Sequence, residues 1–166
     1  MPKRIDPRTV EPVVGTLYPP PFDKPCRARE RRKLGDVAQL TQFGVNLLRL
    51  PAGAWSSQRH WHVKEDEFIY VVSGEVTLVT DEGPELLHAG DAAGFKANHP
   101  DGHCLQNRSN ADALVLEMGS RVPDEVVYYS DIDMRTVPGG KPTPYAHRDG
   151  TPFTDVRRRG PDTKDG

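Results

Sequence analysis

A chain of 166 residues is long enough to bury one sizeable core and too short for two full-sized domains. A formal charge of −2 and a pI near 6.3 argue against nucleic acid or an anionic membrane surface as the main partner, and apolar runs such as "FIYVV" are far too short to span a bilayer. With 36% apolar and 28% charged residues, 16 prolines and 15 glycines, part of the length is expected to lie outside the core as an arm or tail.

Residues 1–36 hold seven prolines, including the run at 19–21, and read as an N-terminal arm that wraps a surface without forming a core. The basic run Arg27 to Lys33 contains Glu30 and lacks interleaved aromatics, so a solvated face or subunit contact is expected rather than a nucleic-acid site. From residue 37 to 129 the pattern changes to short β-like runs, among them "TQFGVNLLRL", "EFIYVVSG", "EVTLVTDEG" and "DALVLEM". Spacing of this kind predicts an all-β sandwich or barrel, with Gly74 and "DEGP" at 81–84 as turns between antiparallel strands. No stretch has the length and caps of a long amphipathic helix. Residues 130–166 are irregular again, and the charged end is expected to be mobile. Cys26 and Cys104 stand in unlike surroundings and suggest reduced thiols; with no apolar stretch after the basic start, the expectation is a soluble, cytoplasmic protein.

The chemistry concentrates in "RHWHVKEDEF", residues 59–68. On a strand, residues two apart share a face, so His60 and His62 project together while Trp61 points away. Glu67 opens the next apolar run and shares a face with Ile69 and Val71. If that face is the interior, the buried carboxylate needs a partner, and a divalent cation held by imidazoles would be one. Farther on, "GDAAGFKANHPDGHCLQN" supplies His103, Leu105 and Asn107 on one face. Three imidazoles and one carboxylate suit Fe, Mn, Ni, Co, Cu or Zn, and leave coordination positions open for water or substrate.

Gly53, His60, His62, Glu67 and Gly74 resemble the first cupin motif, and Gly90, Asp91, His103 and Asn107 resemble the second. The resemblance implies a double-stranded β-helix, a jelly-roll-like barrel, in which His60, His62, Glu67 and His103 bind one divalent metal ion: Zn, Mn, Fe or Ni. Six residues rather than the usual five separate Gly53 from His60, and the loop before His103 is longer than the common pattern. Lys96 and Asn98 stand in that loop where proline and glycine are frequent, and His99 is a rival to His103. The flanks "LTQFGVN", "YYSDIDM" and "HRDGTPF" are similar to small single-domain, sugar-phosphate-isomerase-like cupins. That similarity implies a metal-dependent isomerase, epimerase or lyase acting on a small sugar- or hydroxy-acid-like metabolite. The alternatives are a non-haem Fe(II) dioxygenase and a non-catalytic small-molecule sensor.

Tyr70, Glu117, Asp101 and His99 are candidates for moving protons. Gln58 could reach a ligand, Asn107 reads as a structural hydrogen-bonder, and Cys104 as a packed thiol. Arg49, Lys96 and Lys141 could hold an anionic group, though each reads first as a surface charge. His147 and Asp149 could close over the barrel mouth or simply form a turn, and His88 has no evident partner. A homodimer is expected, with the arm and "LTQFGVN" adding a strand to a second subunit.

Overall fold

A computed structural model describes residues 4–165, and their regular secondary structure is mostly strand. In chain order these are β1 (Val13–Val14), β2 (Glu30–Lys33), β3 (Phe43–Leu50), β4 (His60–His62), β5 (Glu67–Ser73), β6 (Glu75–Thr80) and β7 (Gly83–His88). After them come β8 (Ala92–Phe95), β9 (Cys104–Gln106), β10 (Ala113–Ser120), β11 (Val127–Tyr129), β12 (Arg135–Thr136) and β13 (Tyr145–Ala146). One short helix, α1 (Leu34–Val37), links β2 to β3. No helix among the described residues is long and apolar enough to cross a membrane.

A six-stranded sheet in the order β1-β2-β3-β10-β5-β8 forms one wall; a three-stranded sheet, β7-β6-β9, and a four-stranded sheet, β13-β12-β11-β4, complete the barrel. All pairings are antiparallel. The core follows from period-two alternation. Ile69 and Val71 of β5 are buried with Leu48 and Leu50 of β3, Val76 and Leu78 of β6, Leu105 of β9 and Val115 of β10, while Phe68, Tyr70 and Val72 point outward. Gly74 makes the expected turn with φ of +75°; a Cβ there would also lie 2.7 Å from the Asp112 carbonyl oxygen.

The arm departs from expectation. Its strand β2 pairs along β3, and Tyr18 and Cys26 are buried with Tyr129 and Met134 in a second core. Part of the basic run is therefore not a solvated face: Arg29 is buried and donates to the Gly15 and Ser56 carbonyls and to Thr16 Oγ1, and Arg31 pairs with Glu117. Periodicity hid this strand because "ERRK" contains no apolar residue; its inward positions are filled by cations that neutralise and hydrogen-bond inside. β3 is bonded to β10 along its whole length and to β2 from Asn46 to Arg49, so only Asn46 of "LTQFGVN" is paired on both sides.

The C-terminal segment is irregular as expected, but its end is fastened through Asp165. Thr16 and Arg159 exchange backbone hydrogen bonds of 3.0 and 2.8 Å, Arg159 is buried, and Arg27 donates to the Thr163 carbonyl and to Asp165. Gly166 lies outside the described residues.

Candidate metal centre

β4 is short because it has one task, which is to present two side chains to the interior. Its backbone pairs with β11, placing His62 opposite Val127 and His60 opposite Tyr129. On its other side His60 and His103 exchange backbone hydrogen bonds of 3.1 and 2.9 Å, so the distant histidine is held in register with the first. Glu67 enters as the first residue of β5. The Nε2 atoms of His103, His62 and His60 lie 2.8, 3.2 and 3.5 Å from its Oε2. Donor atoms of His60, His62 and Glu67 all fall within 4.8 Å of one another.

Hydrogen bonding on the far side of the ring fixes what Nε2 offers at His60, while the Nδ1 atoms of His62 and His103 are buried without a hydrogen-bond partner. His60 Nδ1 lies 2.9 Å from the Gln58 carbonyl oxygen, which can only accept, so Nδ1 carries the proton and Nε2 presents a lone pair. His62 Nδ1 faces two carboxylates, Glu125 Oε1 at 3.4 Å and Glu65 Oε2 at 3.6 Å. Both are themselves anchored: Glu125 accepts from the amides of Val63 and Lys64, and Glu65 from that of Val122, each at 2.8 Å. The His103 ring stacks flat on Phe95 at 3.5 Å. Glu67 Oε2 is left buried without a hydrogen-bond partner. A buried carboxylate oxygen faced by three imidazole nitrogens is a ligand set that a divalent cation would complete; the residues fit a metal ion.

In the metal-free protein the imidazoles act on Glu67 as hydrogen-bond donors. Burial pushes the Glu67 carboxyl up, but His103, His60 and His62 outweigh it and hold the group well below the usual carboxylate range. Burial pulls the His62 imidazole down, yet Glu67, Glu125 and Glu65 carry it above its ordinary value. Burial dominates at His103 and lowers it.

The chain is similar along almost its whole length to a sugar phosphate isomerase of the cupin superfamily from Silicibacter pomeroyi. Identity is 40% over 92% of this chain and 97% of that one, with a TM-score of 0.85. This chain belongs to the cupin superfamily. The cupin domain model itself matches residues 46–119. A putative sugar phosphate isomerase from Acidithiobacillus ferrooxidans is 29% identical over 66% of this chain and 69% of its own, with a TM-score of 0.62. A predicted oxalate decarboxylase from Thermotoga maritima, 16% identical over 72% of this chain and all of its own, shares the fold at a TM-score of 0.60. No curated protein matches the chain.

In this cupin the rivalry between the two loop histidines has a clear geometry: His103 is buried against Glu67, whereas His99 is exposed on the loop. Asn98 supplies the left-handed turn where glycine is frequent, with φ of +57°. Asn107 is structural, donating to the Leu50 and Ala111 carbonyls. Gln58 does not face a ligand; its amide donates to the Phe22 carbonyl of the arm. Cys104 is a packed thiol pushed by burial up to about 11, and Trp61 stacks on Tyr128. Arg49 lies on the outer face, paired with Glu30 and Asp112. Lys141 and His88 are exposed, and His147 bonds Asp133 and stacks on Phe153. Among the candidates for moving protons, Tyr70 is on the outside of the barrel.

Two cavities meet at the centre, both lined by Glu67 and His103. One, of roughly 370 Å³, opens past the arm and is lined by Arg31, Lys33, Asn46 and Glu117; the other, of roughly 400 Å³, carries Lys96, His99 and Asp101. The sequence reading overlooked Arg31, which brings an ion pair into the first cavity, and Glu125, which backs His62. Glu65, in the turn between β4 and β5, is the second carboxylate behind the same ring.

Proposed function

We propose that this cupin is a metal-dependent enzyme, an isomerase, epimerase or lyase acting on a small sugar- or hydroxy-acid-like metabolite. His60, His62, Glu67 and His103 hold one divalent ion: Zn, Mn, Fe or Ni. The observation that carries this reading is the convergence of three imidazole Nε2 atoms on one buried, unpartnered carboxylate oxygen where two cavities meet. The two isomerase-like relatives favour the reaction class. A bound divalent ion supplies Lewis acidity toward a carbonyl or hydroxyl oxygen.

The chain's own residues do the rest. Phe95 and the Leu105 side chain exclude water from one flank, and Ser57, His60 and Asn46 present polar groups to the ligand. Glu117 is the proton acceptor in this reading, since it lines the arm-side cavity with Glu67, and Arg31 orients it by a bidentate pair of 2.7 and 2.9 Å. The ligand is a small molecule rather than nucleic acid or membrane, and the protein works in the cytoplasm. The outward stripe of Phe68, Tyr70 and Val72 on β5, each more than two-fifths exposed, is the face on which a homodimer would form.

Metal analysis of the purified protein, followed by aerobic and anaerobic screens of sugars, sugar phosphates and keto acids, tests the reading. Turnover without oxygen uptake supports it. Iron-dependent oxygen consumption would make the protein a dioxygenase, and ligand binding without turnover would make it a sensor. His60→Ala and His62→Ala should each lose most bound metal while keeping the fold; unchanged metal content would overturn the assigned centre.

A further inference from the structure

The mouth of the arm-side cavity is built around one rung of the large sheet. Gly44 of β3 pairs with Gly119 of β10, which pairs with Glu67 of β5. This is an inward-facing rung, and two of its three positions have no side chain. What lies over them is specific. A Cβ on Gly44 would sit 3.4 Å from the Arg121 guanidinium, and one on Gly119 would sit 3.6 Å from Glu67 Cγ. Arg121 and Glu67 therefore lie over adjacent glycines, one strand spacing or about 4.8 Å apart in the backbone. Both glycines, Arg121 and Glu67 line the arm-side cavity, and neither glycine puts a side chain into it.

Charge at this mouth is in surplus. Arg121 and Lys33 share a single carboxylate, Asp36: the Arg121 guanidinium pairs with Asp36 Oδ1, and Lys33 Nζ stands 4.0 Å from Oδ2. Lys33 has no closer acidic partner among the described residues, and both cations are substantially exposed to the cavity mouth. The contrast with the other mouth is sharp. Around the arm-side cavity four acids, Asp36, Glu65, Glu67 and Glu117, are balanced by Arg29, Arg31, Lys33 and Arg121, whereas the opposite cavity sets Lys96 alone against five acids. A divalent ion at the shared centre makes the first cavity net positive and leaves the second net negative.

We propose that Arg121 and Lys33 form an oxyanion subsite that takes the carboxylate or phosphate end of a small ligand, whose other oxygens reach along the glycine lane to the centre at Glu67. The subsite deepens the proposed function and rests on it only for the destination of the lane; the anion-binding step stands on the mouth itself. Asp36 is the internal occupant that the ligand's oxyanion joins or displaces, so Asp36 holds the two cations in place and also weakens the subsite for anions.

Titration calorimetry with inorganic phosphate and, separately, malonate on the metal-loaded protein tests this. Wild type is expected to bind at least one of the two, phosphate alone marking a phosphate subsite and malonate alone a carboxylate subsite. The R121Q/K33Q variant is expected to lose about tenfold or more in that affinity, and Asp36→Asn to gain several-fold. The gain cannot come from misfolding, so it keeps the test decisive if R121Q/K33Q is unstable. Failure of wild type to bind either anion, or equal affinities in wild type and both variants, overturns the subsite. Metal content measured on the same samples separates this from failure of the metal centre, which would appear as metal lost or absent with anion binding unchanged.

Discussion

Glu125 lies behind His62, outside any contact with the convergent donor atoms, and its replacement by glutamine makes a sharp test of how the centre is held. The carboxylate stands 3.4 Å from His62 Nδ1 without a hydrogen bond and is locked by two backbone amides, so it is positioned to raise the basicity of the ring through its charge. Loss of such a partner weakens metal binding by about 10–100-fold, or roughly 1.4–2.7 kcal/mol. Glu125→Gln is expected at the low end, because Glu65 stands 3.6 Å from the same nitrogen and keeps a second negative charge beside the ring. The single variant is therefore expected to lose about tenfold and the E125Q/E65Q double variant about a hundredfold. Glutamine also offers one carbonyl oxygen where the carboxylate accepted from both Val63 and Lys64, which costs the fold a further ~0.5–1.5 kcal/mol. Zinc affinity by competition with a chromophoric chelator, on samples whose circular dichroism matches wild type, reads the first effect free of the second. A double variant that binds zinc like wild type would refute the role given to both carboxylates.

Further outcomes follow from the same contacts. Because the folded pKa of Glu67 lies below its ordinary value of 4.5, the unfolded chain binds more protons in that range, and the metal-free protein should lose stability as pH falls through the folded value. Thermal midpoints of chelator-treated protein between about pH 5 and pH 3 should fall less steeply in Glu67→Gln; parallel slopes would contradict the assignment. Gly102→Ala should destabilise by about 1–3 kcal/mol, since its Cβ would meet Ser130 Oγ at 1.9 Å and Cβ at 2.9 Å, and a second change, Ser130→Gly, should recover much of the loss in denaturant titrations. Replacing Phe68 and Tyr70 together by glutamate should convert a dimer to monomer in sedimentation experiments without unfolding it; an unchanged dimer mass would exclude that face.

How much of this was legible in the sequence depended on whether a residue's neighbours carried an apolar rhythm. β5 was readable because Ile69 and Val71 alternate with outward residues, and that alternation also put Glu67 inside. His60 and His62 were readable as a pair from strand parity, and the cupin resemblance tied them to His103, which the backbone bridge to His60 bears out as a spatial neighbour. β2 was not readable: a strand of four charged residues has no hydrophobic period, and its inward Arg31 is satisfied by Glu117 and by the Ser56 carbonyl, both distant in sequence. Glu125 gave no signal at all, since its link to His62 exists only through the pairing of β4 with β11. Glu65 gave a weak one, a carboxylate three residues after a histidine across a turn, and was easily mistaken for solvated charge.

The misread arm matters because the centre leans on it. Gln58 reaches the arm through its amide, which donates to the Phe22 carbonyl, and its own carbonyl accepts from His60 Nδ1. One residue back, Ser57 Oγ lies 3.2 Å from that same nitrogen, and the Ser56 carbonyl receives both Arg29 and Arg31. The loop that sets the tautomer of His60 is thus clamped from two sides by residues of the first thirty-six. Ser56 Oγ also accepts from the Leu105 amide, which fastens the loop to the strand that follows His103. A lone pair on His60 Nε2, the property that would let the cluster hold a metal ion, therefore depends on hydrogen bonds that begin in the arm. The arm belongs to the centre as much as the barrel strands do, and the Arg31 and Lys33 that line its cavity are carried on the same strand that closes the edge of β3.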